Sequence, residues 1–103
     1  MTTPFHFDLD EERAVLTLHG ELDEPVIAEL RETIAKATHE LTSDLAIDLA
    51  HVTFMPSTAI GVLATLQAEA RHRGGAVTFV APAGTVAARL LTICALEYVE
   101  SVD

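Results

Sequence analysis

The chain has 103 residues, a length that fits one domain over residues 1–103 and leaves no room for two. Half of it is apolar, enough for a core at this size, but with no Trp and one Tyr that core must come from Leu, Ile, Val and Ala. Sixteen acids against six bases give a net charge of −10, a surface that repels phosphate backbones and anionic lipids, so nucleic acid and direct membrane binding are excluded as natural partners.

Met1-Thr2-Thr3-Pro4-Phe5 has neither a basic start nor an apolar stretch after it, so it does not read as a signal peptide. No apolar run of about 18 residues follows anywhere, and a cytoplasmic protein is expected. Phe5 to Leu9 alternates apolar and polar residues as a strand does. Asp10-Glu11-Glu12-Arg13 is a charged turn, and Ala14 to Leu18 is the second strand of a hairpin. Gly20-Glu21-Leu22-Asp23 then reads as a turn into a helix, with Asp23 as N-cap and Pro25 in the first turn. Val26, Ile27, Leu30, Ile34 and Ala37 recur at helical spacing along that helix.

Leu45 to Leu49 is a short apolar strand, and His51 to Met55 continues it in an extended pattern. Pro56 biases Met55 away from helix. From Thr58 to Arg73 the pattern is helical, with Ala59, Val62, Leu63, Leu66 and Ala70 on one face. Arg71-His72-Arg73 complements the helix dipole, and Gly74-Gly75 stops the helix. Ala76 to Val80 is a strand, Pro82 and Gly84 mark a loop, and Thr85 to about Cys94 is a final helix. Cys94, the single cysteine, is expected to be a small buried core residue. Tyr98-Val99 suggests a short last strand. The order β-β-α-β-α-β-α, with a closing β, predicts an α/β fold whose sheet is parallel where helices cross over, with right-handed crossovers.

Catalytic patterns are weak. Asp48, His51 and Ser57 have the composition of a hydrolytic triad, but nothing in the order of elements brings them together and no G-x-S-x-G elbow is present. His6, His19, His39, His51 and His72 are scattered along the chain without zinc-site spacing, so no metal is expected. Asp8, Asp10, Glu11 and Glu12 read as a solvated turn. The glycines match no phosphate-binding loop, and Lys36, the one lysine, precedes them all, so no nucleotide cofactor is expected. The chain reads as a binding protein and not as an enzyme.

The feature that remains is Met55-Pro56-Ser57-Thr58-Ala59-Ile60-Gly61, which sets two hydroxyls at the mouth of a helix. Ser57 suits an N-cap, its oxygen accepting from the amide of Ala59 or Ile60, at a cost of about 1 kcal/mol if lost. The same serine suits a phosphorylation switch. A phosphate would bring about −1.5 to −2 charges, which the helix dipole tolerates but a docked partner does not.

Three stretches in order carry a resemblance to a known family. Gly20-Glu21-Leu22-Asp23 opens a helix, Ile47-Asp48-Leu49-Ala50-His51-Val52-Thr53-Phe54-Met55 leads to Ser57-Thr58, and Ile60-Gly61-Val62-Leu63 is followed by Gly74-Gly75. Nearly the whole chain resembles a STAS domain, specifically the bacterial anti-sigma-factor antagonists. The resemblance implies a single domain with a mixed β-sheet flanked by helices, and a role in partner switching. The antagonist binds an anti-sigma factor of the GHKL serine-kinase type and so frees a sigma factor. Phosphorylation before the second long helix ends the interaction, and a phosphatase resets it. By position Ser57 matches the phosphorylated serine, with Thr58 as second choice. The implied contact surface comprises Asp23, Pro56, Ser57, Thr58, Ala59, Ile60 and Gly61, with Ile60 and Val62 contributing where exposed. Three positions depart from the family pattern: Pro56 stands for the usual Asp, Ala59 for the usual Gly, and Ala95 for the Gly that tends to precede Leu near the C-terminus. The proline removes a carboxylate and a backbone donor, and Ala59 adds a methyl where a partner would approach. STAS domains also serve as accessory subunits docked on the ATPase of lipid-transporting ABC complexes, and the altered junction suits that binding role as well.

Overall fold

The computed structural model describes residues 5–102. Its elements are β1 (His6–Asp10), β2 (Val15–Glu21), α1 (Glu24–Ala37), β3 (Leu45–Phe54), α2 (Ser57–Arg73), β4 (Val77–Val80) and α3 (Val86–Ile93). The four strands form one sheet in the order β1-β2-β3-β4. β1 and β2 are antiparallel across the charged turn, where the Arg13 amide donates to Asp10 Oδ1 at 3.1 Å. β2, β3 and β4 are parallel, joined by the crossovers α1 and α2. The mixed sheet and element order expected from the sequence are therefore present. The expected last strand is reduced to a parallel bridge between Val80 and Val99, where the Val99 amide donates to Phe79 O and the Ala81 amide to Val99 O.

Alternation along the strands decides which sheet face is covered. Leu16, Ile47 and Phe79 share a row by register and are fully buried. Leu18, Leu49, Val77 and the helix residues Leu30, Ile34, Leu63, Leu66, Ala70, Ala87 and Leu91 complete the core with them. The other face carries His6 and Asp8 from β1, Thr17 and His19 from β2, Asp48 and His51 from β3, and Thr78 from β4, all half-buried or exposed. A sheet with one face under helices and one toward water follows directly from this period of two.

Two local readings change. Gly20 and Glu21, expected in a turn, lie in β2, because the parallel pairing with β3 runs on to Glu21 opposite Phe54. Gly20 takes φ +96° at the register shift there, a conformation that glycine adopts freely. Cys94, expected in the core, is exposed. The buried stripe of α3 is Ala87, Ala88 and Leu91, and Cys94 would continue it, but the helix ends at Ile93. Ala95 at φ +57° turns the chain away, and the Leu96 amide returns to Leu91 O at 2.9 Å.

The connection from α1 to β3 is unusual. His39, Glu40 and Leu41 all have positive φ, between 50° and 69°. Thr38, fully buried, holds the start of this turn: its Oγ1 donates to Ile34 O at 2.6 Å and accepts from the Leu41 amide at 3.0 Å. Gly75 packs under the same turn, where an added Cβ would sit 2.5 Å from Leu41 O and 2.6 Å from Ser43 O.

Candidate functional site

The start of α2 is built by three adjoining residues with different tasks. Met55 is buried and anchors the end of β3. Pro56, extended at φ −69° and ψ 165°, is the N-cap, and its carbonyl accepts from the Ile60 amide at 3.1 Å. Ser57 is thereby already the first helical residue and not the cap, and no side chain caps this helix. The expected cap, with Ser57 Oγ accepting from the Ala59 or Ile60 amide, does not form, because Pro56, whose φ suits the N-cap position, takes that place and its carbonyl accepts from the Ile60 amide. Ser57 and Thr58 both face solvent.

Burial divides the expected contact surface. Asp23, Ser57, Thr58 and Gly61 are exposed and Pro56 is half-buried. Ala59 and Ile60 are core residues at 1% and 7% exposure, so neither is available to a partner in this conformation. Ala59, two positions after Ser57, points to the opposite side of the first turn. The methyl of Ala59 thus fills the interior and does not obstruct a partner. Gly61, by contrast, borders open space: a Cβ added there would meet nothing within 4 Å.

α1 stands beside this junction. The Leu22 amide donates to Phe54 O at 2.9 Å, tying the entry of α1 to the end of β3. Asp23 is the N-cap of α1, as expected, but through its carbonyl, which accepts from the Val26 and Ile27 amides at 3.1 Å each; its side chain makes no cap. Between α1 and α2 runs an open groove of about 430 Å³, lined by Glu24, Ile27, Ala28 and Arg31 on one side and by Thr58 and Val62 on the other. Its floor is apolar, its rim carries both signs of charge, and Thr58 belongs to it. Phe54, at the same end of the sheet, is 48% exposed. Sequence reading missed the groove residues on α1 because Ile27 lies on that helix's apolar stripe, which periodicity assigns to the core. Ile27 and Val62 are in fact half-buried.

The triad-like residues turn to other partners. Asp48 Oδ1 accepts from the Ala50 amide at 2.9 Å, on the open face of the sheet. His51 stacks on His19, with ring centroids 4.9 Å apart and planes 5° from parallel. His6 stacks on the other side of His19, at 4.1 Å and 6°. Three of the five histidines that are scattered along the sequence thus form a ladder across β1, β2 and β3. The pairing of His6 with His19 follows from the hairpin, whose turn lies midway between them, and that symmetry was readable in the sequence. The pairing of His19 with His51 depends on the shift of register between Thr17 and His19, which was not.

Solved structures share this architecture. An anti-sigma factor antagonist from Mycobacterium paratuberculosis superposes with a TM-score of 0.78 at 18% identity, over 98% of this chain and 92% of that one. The anti-sigma factor antagonist SpoIIAA in its unphosphorylated form gives 0.67 at 20% identity, over 90% and 82%. The Bacillus cell fate determinant SpoIIAA in its phosphorylated form gives 0.65 at 18% identity, over 90% and 85%. At these identities the likeness is one of fold. The sequence itself matches the family described as Mlab, STAS domain, over residues 5–98, and with that span the chain belongs to the STAS domain family.

Proposed function

We propose that this protein is an anti-sigma-factor antagonist, a regulatory binding protein without catalytic activity. It binds an anti-sigma factor of the GHKL serine-kinase type through the start of α2 and the adjoining groove, and so releases a sigma factor. The observation that carries this reading is the solvent-facing Ser57-Thr58 pair at the first turn of α2, beside a partly apolar groove, in a fold shared with antagonists known in phosphorylated and unphosphorylated forms. Ser57 is accessible to a kinase without unfolding, and Thr58 is the second acceptor. Phosphate on Ser57 would stand at the mouth of the groove and expel the partner, and a phosphatase would restore binding. Covering the remaining apolar surface of Ile27 and Val62 contributes on the order of 1 kcal/mol each, with Asp23, Glu24 and Arg31 supplying the polar rim.

The second reading, an accessory subunit docked on the ATPase of a lipid-transporting ABC complex, uses the same surface. It is favoured by Pro56 in place of a carboxylate beside the acceptor serine, and by the family description Mlab where the solved structures are antagonists. Capture of the tagged chain from lysate of its source organism, with mass spectrometry of what accompanies it, separates the two. Recovery of a GHKL-type kinase, lost with Val62→Asp, supports the antagonist. Recovery of an ABC-transporter ATPase without a kinase overturns it.

A further inference from the structure

We propose that the open face of the sheet carries a site for a divalent transition-metal ion of the zinc class, formed by His6, Asp8 and His19. The three residues come from two adjacent strands. His6 and His19 are directly paired across the hairpin, and Asp8 lies two residues on from His6, on the same face. One ligand atom from each lies within 4.8 Å of the other two. His19 Nε2 and Asp8 Oδ2 stand 3.5 Å apart. Two donors on a tetrahedral zinc ion, at its usual bond lengths, are about 3.3 Å apart. That pair is therefore already set at the span an ion requires, and His6 must close the remainder.

The ring geometry states how it closes. An imidazole lone pair lies in the plane of its ring, so two stacked, nearly parallel rings cannot both aim at one ion. His19, with 26% of its side chain exposed, is held between two neighbours. His6 is on the edge strand and exposed, with a stacking neighbour on one side. His6 is thus the ring that turns out of the stack, while His19 keeps its contact with His51. Two imidazoles and one carboxylate select zinc, copper or nickel over magnesium or calcium, which prefer all-oxygen sites. Three protein donors leave a position for water or for a further ligand. The net charge of −10 favours any cation at the surface, but among the described residues this cluster is the one that supplies nitrogen donors from neighbouring strands beside a carboxylate. The site stands apart from the antagonist reading, since Ser57 opens a helix on the covered face.

The test is calorimetric titration of zinc chloride into the full, tag-free, chelator-stripped chain, followed by proton NMR of the histidine ring resonances. One ion per chain at micromolar affinity is expected, with the His6 and His19 resonances moving first. His6→Ala, His19→Ala and Asp8→Asn should each weaken binding at least tenfold. His39→Ala and His72→Ala, remote from the ladder, should leave it unchanged. Circular dichroism of each variant reports that it is folded, and because the NMR readout uses the unaltered chain it stands even if a variant fails. Absence of saturable binding would overturn the proposal. So would equal competition by magnesium, or equal affinity in His6→Ala and His39→Ala, since either would mean cations held only by an acidic surface.

Discussion

A negative charge at Ser57 should stabilise the domain while it destroys partner binding, and the two effects can be measured on one variant. α2 begins without a side-chain cap and without an acidic residue in its first turn. The first-turn amides ahead of the Pro56-to-Ile60 hydrogen bond have no intrahelical acceptor, as at any helix start. Ser57→Asp places a carboxylate among them on an exposed residue, and charges so placed stabilise by about 0.3–1 kcal/mol. For a domain of this size, 1 kcal/mol shifts Tm by about 4–8 °C, so a rise of about 1–8 °C is expected. The net charge of −10 trims this gain, and added salt screens the dipole attraction and the repulsion alike. Ser57→Ala should leave Tm within about 2 °C of the parent, because the hydroxyl caps nothing; a true N-cap serine would cost about 1 kcal/mol. Thermal unfolding by circular dichroism gives both values, and calorimetry against the captured anti-sigma factor gives the affinities. Ser57→Asp should bind at least tenfold more weakly, and Ser57→Ala should bind as the parent does. A lower Tm in Ser57→Asp, or a loss near 1 kcal/mol in Ser57→Ala, would refute this account of the helix start. Parent-like binding by Ser57→Asp would refute the switch.

Four further outcomes check packing and exposure. Gly75→Ala should destabilise by about 1–3 kcal/mol or more in urea denaturation, because the new methyl meets two backbone carbonyls that cannot rotate away. Gly74→Ala, at φ +93° but in open space, should cost only the left-handed penalty of about 1–2 kcal/mol. Thr38→Val keeps the shape of a buried residue but strands the Leu41 amide, and should cost about 1–3 kcal/mol with faster amide exchange confined to residues 39–43. Cys94 should react with an aromatic disulfide reagent in native buffer as fast as in denaturant, since the folded chain leaves it exposed.

What could be read from the sequence was what depends on period. The strands and helices followed from spacings of two and between three and four, and the mixed sheet from the order of those elements. The cap position at Asp23 and the stop at Gly74 were read correctly, while Thr85, read as the first residue of α3, is its N-cap. At α2 the cap fell one residue earlier than expected, because a proline can end an extended segment as well as a serine can. Ala59 was read on the apolar face of α2, but the burial of Ile60 beside it was not legible, since α2 is apolar on more than one side and only the packed sheet chooses between them. The histidine ladder was hidden for a different reason. It joins positions far apart in the chain, and one of its two steps rests on a shift of strand register that no local pattern announces.

The sheet's two rims are finished in different ways. At β4 the chain's own tail is laid alongside as the Val80–Val99 bridge and takes up backbone groups that would otherwise seek a strand. At β1 the outermost strand is five residues long and bears Asp8 and Asp10. A neighbour offering its own strand would find one rim already taken and the other short and negatively charged. Growth of the sheet from molecule to molecule is thereby discouraged at both ends. Contacts are left to helices and grooves, which engage one surface at a time and let go again, as the proposed exchange between partners requires.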